Sequence, residues 1–154
     1  MKKKRLTILI IGAVLLSAII LALFGNPFIL KKRYDFGQSV KSIDAESITL
    51  NELAPFEWDA VYTFAPYMPK QEMEKILGFK SNHIRETVSE GMVQLIFVKG
   101  NRVVCDIQGY SDNLGYSVFF SIREGSYSQI NYEDSAVFSV ERTDNLIVLT
   151  CMQE

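Results

Sequence analysis

Residues 6–24 form an uninterrupted apolar run, LTILIIGAVLLSAIILALF, 19 residues without a charge. Four cations precede it (Lys2, Lys3, Lys4, Arg5) and three follow it (Lys31, Lys32, Arg33). Lipid supplies no hydrogen-bonding partners, so a spanning segment must satisfy its own backbone as a helix. At about 1.5 Å per residue the run rises about 28 Å, near the roughly 30 Å of a hydrocarbon layer. A buried core helix normally keeps one polar face, and this run has none. A cleavable secretory signal has a shorter apolar stretch and a small-residue cleavage site. The expectation is therefore an uncut transmembrane helix, with the lipid bilayer as its partner over residues 6–24. The cation excess at the N-terminal end places that end in the cytoplasm and the remainder outside.

The charge distribution separates the two parts of the chain. All 18 Asp and Glu follow Arg33, as do only 9 of the 16 Lys and Arg, which leaves a net charge of −9 on about 120 residues. Nucleic acid needs a cationic surface, so it is excluded as a partner. A cationic partner such as a basic peptide is compatible with this charge, and so is a plain solubility role.

The expected domain plan is a basic head at 1–5, a span at 6–24, a juxtamembrane neck at 25–37 and an extracytoplasmic domain at 38–154. Asn26-Pro27 reads as a breaker pair closing the membrane helix. Residues 60–64 alternate and are rich in aromatic and β-branched side chains, which favours a strand. A short helix follows Pro69, carries Met73, Ile76 and Leu77 on one stripe, and ends at Gly78. Gly100-Asn101 signals a hairpin between 92–98 and 102–108, with Val103, Cys105 and Ile107 on one face. Residues 116–122 alternate cleanly. Residues 136–142 and 146–151 flank a second turn at Asp144-Asn145. The predicted fold class is α+β: an N-terminal transmembrane helix, then a small two-layer domain. That domain has a mostly antiparallel sheet of five to six strands and one short helix.

No constellation for catalysis or metal binding emerges. The one histidine, His83, lies in a polar stretch and reads as a solvated loop residue; without partners it ligates no metal. No phosphate-binding glycine motif occurs, and no cofactor is implied. Cys105 and Cys151 leave two readings open. They either bridge, closing a loop of about 45 residues worth about 3–4 kcal/mol, or remain two ordinary thiols.

The densest stretch is PFEWDAVYTFAPYMP at 55–69, which holds the single Trp. Glu57, Trp58, Asp59, Tyr62 and Tyr67 form the candidate interaction surface, because Trp and Tyr dominate binding hot spots. The competing reading makes the aromatics core, with one or two tyrosines partly exposed. Glu57 and Asp59 also suggest an acid pair for a carboxylate-dependent envelope hydrolase, although an exposed rim explains them more simply.

The string from Glu57 to Tyr67, EWDAVYTFAPY, is followed by Lys75-Ile76-Leu77-Gly78-Phe79. Together they resemble a signature of small uncharacterised bacterial envelope proteins, membrane-anchored or lipoprotein-like. The resemblance implies a bacterial cell-envelope setting and carries over no site residues. This chain departs from the lipoprotein members in lacking a lipid-attachment cysteine near its apolar run. The combined expectation is a membrane-anchored extracytoplasmic binding domain. Its partner would be an envelope protein or a basic peptide, as in an immunity-type role. A hydrolase and a structural envelope subunit are the alternatives.

Overall fold

A computed structural model describes residues 2–24, 26–120, 125–143 and 145–152, with the side chains of 2–3 and 17–24 left aside. The first helix, α1 (Lys2–Phe24), covers the apolar run. Among the described residues, however, no helix is long and apolar enough to cross a membrane. The described side chains of the run end at residue 16. Residues 17–24 of the expected span lie outside the described side chains. The transmembrane, single-pass and signal-anchor expectations are corrected accordingly.

The expected neck is also different. Helix α2 (Pro27–Lys41) begins at the Asn26-Pro27 pair. Asn26 is its N-cap, the Asn26 side chain accepting from the Phe28 N–H at 3.0 Å. Pro27 occupies the first helical position, where its missing N–H costs nothing. One dipeptide thus stops a helix and starts the next. Phe36 and Val40 of α2 are completely buried, so this helix is part of the domain.

The remaining described elements are β1 (Ser47–Thr49), α3 (Leu50–Leu53), β2 (Ala60–Phe64), α4 (Lys70–Leu77), β3 (Met92–Lys99) and β4 (Arg102–Tyr110). After them come α5 (Ser111–Leu114), β5 (Tyr116–Phe119), β6 (Tyr127–Asn131), a 3-10 turn at Tyr132–Asp134, β7 (Val137–Arg142) and β8 (Ile147–Cys151). They form two four-stranded sheets, ordered β1-β7-β8-β5 and β4-β3-β2-β6. The expected single sheet of five to six strands with one helix is therefore replaced by eight strands in two sheets with several helices. β1 is too short to leave a periodic signal, and β5 pairs with β8 in parallel, a non-local match that hairpin signals do not announce. Residues 121–122 of the strand expected at 116–122 and Asp144 of the expected second turn lie outside the described residues.

The expected hairpin at Gly100 is present, with Gly100 at φ +54°. Helix α4 ends at Gly78, φ +79°, a left-handed C-terminal position that suits glycine. Val98 pairs with Val103 and Phe97 with Cys105, so Val104 is an extra residue in β4. This bulge breaks the alternation. Val103 turns to a different cluster from Cys105 and Ile107, against the expectation that all three share a face.

Two apolar clusters result. The larger joins both sheets and α2, through Phe36, Trp58, Val61, Leu95, Phe97, Phe138 and Leu149 among others. The smaller lies on the other face of β2 and β3, where Phe64, Ile96 and Val98 meet Met73 of α4 and Ile84. Strand β3 is buried on both faces, with Leu95 and Phe97 in the first cluster and Ile96 and Val98 in the second. The two cysteines fall in different sheets, Cys105 in β4 and Cys151 in β8, and both are free thiols. Burial pushes the Cys105 thiol up to about 12.

Candidate functional site

The approach to β2 builds a cleft. Residues 54–59 join α3 to β2 without regular secondary structure, and Asp59 is tied at both ends of its backbone. Its N–H donates to the Val98 carbonyl at 2.8 Å, and its carbonyl accepts from the Tyr132 N–H at 2.8 Å. The β2–β6 register, Ala60 opposite Asn131, carries Tyr132 to the same place. The β2–β3 register brings Lys99 beside Glu57. A capping box between Thr49 and Glu52 starts α3 and fixes Asn51 on it. The result is a cleft of about 500 Å³ lined by Asn51, Phe56, Glu57, Trp58, Lys99 and Tyr132, with Ala54 and Pro55. That volume falls within the range of small-ligand sites.

The walls are aromatic. Trp58 meets Phe97 edge-on at 5.5 Å and Tyr132 edge-on at 5.2 Å; Phe56 meets Phe97 at 5.3 Å. Lys32 of α2 sits over the Phe56 ring at 5.3 Å, a cation–π contact. The rim carries the Lys99–Glu57 ion pair, and Lys99 holds the Glu57 carboxyl below the usual carboxylate range.

Among the described residues, three side-chain atoms are buried without a hydrogen-bond partner: the Trp58 indole Nε1, the Asn51 Oδ1 and the Asp106 Oδ1. Trp58 as a whole is only 3% exposed. The Asn51 amide is oriented by its other end, Nδ2 donating to the Tyr132 carbonyl at 3.0 Å. A buried donor or acceptor without a partner costs about 1–3 kcal/mol, and most buried polar groups in folded proteins are paired.

The five residues expected to form one surface do not stay together. Glu57 and Trp58 line the cleft. Asp59 is spent on structure, its Oδ2 accepting from the Gly100 N–H at 2.7 Å in the hairpin turn. Tyr62 stacks with Phe64 and Tyr127 instead, at 6.2 and 6.4 Å, and burial raises its phenol above the ordinary range. Tyr67 is exposed in a turn at φ +65°, with its N–H on the Thr87 carbonyl at 3.0 Å. Sequence reasoning missed Asn51, Lys99 and Tyr132. They stand 7, 41 and 74 positions from Trp58, and only strand pairing and α3 assemble them.

A second polar cluster surrounds Asp106 on the edge strand β4. Asp106 is 3% exposed and, in register with Ile96, faces away from Cys105 and Ile107. Arg33 of α2 reaches it twice, Nε donating to its carbonyl at 2.6 Å and Nη2 to its Oδ2 at 2.5 Å. Arg85 Nη2 lies 3.3 Å from the same Oδ2. His83, expected in open solvent, is partly covered, its Nδ1 3.7 Å from the Asp106 Oδ1. Gln94 and Gln108, opposite each other on the same face, hold the 79–91 segment through the Arg85 and Glu86 carbonyls, at 2.9 and 2.7 Å.

No protein-family model, curated protein or solved structure matches this chain. Among the described residues, no group of three or more His, Cys, Asp or Glu could hold a metal ion.

Proposed function

We propose that this chain is a binding domain whose ligand or partner segment seats in the cleft between Asn51, Trp58 and Tyr132. One observation carries the reading: a cleft of about 500 Å³ is walled by Phe56, Trp58 and Tyr132 and carries the Lys99–Glu57 ion pair at its rim. Small-molecule and peptide sites have this character, mostly apolar with a few placed polar groups. The acidic balance of residues 34–154 favours a neutral or basic partner over an anionic one. An envelope protein or a basic peptide fits that balance.

The hydrolase alternative draws less support. Asp59 is committed to the Gly100 N–H, and Glu57 is 83% exposed beside Lys99, a setting that keeps a carboxyl ionised rather than tuned for proton transfer.

The test uses the fact that the chain has one tryptophan. The Trp58 indole N–H resonance and the fluorescence excited beyond the tyrosine absorption band both report on Trp58 alone. Titration with a panel of short basic and neutral peptides is expected to move both signals saturably. A panel that perturbs other residues and leaves the indole unmoved would sink the proposal.

A further inference from the structure

The Asp106 carboxylate is used unevenly. Arg33 and Arg85 both reach Oδ2, at 2.5 and 3.3 Å. Oδ1 is buried and accepts no hydrogen bond. The His83 imidazole stands beside it, Nδ1 3.7 Å from Oδ1. That distance is too long for a hydrogen bond and less than 1 Å from one. A neutral imidazole carries one N–H, on either nitrogen. An imidazolium carries both, so protonation guarantees a donor at Nδ1. The Asp106 side chain is 4% exposed and that of His83 is 31% exposed, so the acceptor is shielded while protons reach the donor from solvent.

The segment that carries His83 has room to respond. Residues 80–91 contain no helix or strand. Ile84 anchors the segment in the smaller cluster, and the Arg85 and Glu86 carbonyls hold it to Gln94 and Gln108. The charged groups around His83 come from three elements. Arg33 of α2 and Arg85 of the segment itself oppose a further cation, but both spend their hydrogen bonds on Oδ2. Glu74 of α4 is occupied by the Ser81 N–H at 3.3 Å and by Lys70 at 3.7 Å. Asp106 of β4 is the carboxylate with an oxygen to offer. Strand β3 presents only the neutral Gln94 on this face, opposite Gln108.

We infer that His83 and Asp106 form a proton-operated latch. On protonation the imidazole closes onto the Asp106 Oδ1 and draws the 79–91 segment tighter against the edge strand β4. Histidine is the side chain that ordinarily changes charge between pH 5 and 8, and this chain has one. The latch is closed at the acidic end of that range and slack at the basic end.

The experiment measures amide hydrogen exchange of the full chain at pH 5 and pH 8, each rate divided by the intrinsic rate at that pH. The expected result is protection of residues 79–91 about tenfold higher at pH 5, the scale of one hydrogen bond to a charged group. Amides of the β3–β4 hairpin should change little. His83→Gln keeps a polar side chain that cannot titrate, and its 79–91 protection should be the same at both pH values. Asp106→Asn keeps the shape and removes the charge, and it should abolish the step as well. The hairpin amides report that each variant is folded. An unaltered chain with no rise at 79–91 would overturn the latch, as would a rise that survives in His83→Gln. A rise that survives in folded Asp106→Asn would overturn Asp106 as its acceptor.

Discussion

The Trp58 cleft and the Asp106 cluster put polar atoms into the same small domain in opposite ways. Around Asp106 charged partners converge on one carboxylate, although its Oδ1 makes no hydrogen bond and His83 Nδ1 stands 3.7 Å from it. One buried carboxylate draws on Arg33, Arg85 and His83, and Arg33 also covers the carbonyl that the edge strand leaves free. In the cleft the partners fall short, with a buried donor and a buried acceptor left over. A buried charge cannot be left unpaired, since removing one partner of such a pair costs about 3–5 kcal/mol. A neutral polar group can be left waiting at about 1–3 kcal/mol. The first cluster therefore reads as a tie that fixes α2 and the 79–91 segment to the sheet edge. It also protects that edge from pairing with another chain. The second reads as a place prepared for something else.

The contrast is sharpest in the variant with the largest expected effect. Asp106→Ala should lower the unfolding free energy by about 1.5–3 kcal/mol in urea titration, because the charge-assisted hydrogen bonds from the partly exposed Arg33 and the more exposed Arg85 are lost together. A loss under about 1 kcal/mol would mean that the cluster is not the tie described, and the comparison would fail on its structural side.

The next effect is set by pH. The Cys105 thiol is raised from 9.0 to about 12 by burial, and the Tyr116 phenol is raised from its ordinary 10.0 by burial as well. For an acid whose folded value exceeds its unfolded one, the native state holds more protons between the two values. The stabilising contribution is complete below the unfolded value and is lost as pH climbs above it. Stability should thus begin to fall above about pH 9, by up to about 1.4 kcal/mol per pH unit for Cys105 alone. Cys105→Val should flatten that part of the profile. At pH 8 a thiol reagent should label Cys151 promptly and Cys105 only on unfolding.

Trp58→Phe should cost no more than about 1 kcal/mol, because the lost ring contacts on Phe97 and Tyr132 are offset by removing an unpartnered donor. It should nevertheless weaken ligand binding, measured by calorimetry. A large stability loss with binding intact would reverse the assignment of the two regions. The smallest effect belongs to the rim. Glu57→Gln should leave the unfolding midpoint unchanged within error, since an exposed ion pair contributes little.

These expectations differ in how far they could be read in advance. The Gly100 hairpin, α4 with its stop at Gly78, and the helical state of residues 6–24 follow from local chemistry: turn residues, apolar spacing and the absence of breakers. The step from that helix to a membrane span is the one that failed. The importance of the 55–69 stretch was visible, because a lone tryptophan among aromatics must be buried or bind. Its division was not. The registers of β2 with β3 and β6 send Trp58 to the cleft, Asp59 to the hairpin turn and Tyr62 to a ring stack. Asp106 gave no local signal at all, since Arg33 and Arg85 stand 73 and 21 positions away.

By itself, then, the sequence determined the charge split at Arg33, the turns, the short helix and the aromatic density of one segment. Each of these depends on residues within a turn or two of one another. Tertiary structure decided which polar atoms would be paired, where β4 would bulge, and which distant residues, Asn51, Lys99 and Tyr132, would join Trp58 around the cleft. Those outcomes depend on strand register and burial, and a shift of one residue in register exchanges the two faces of a strand.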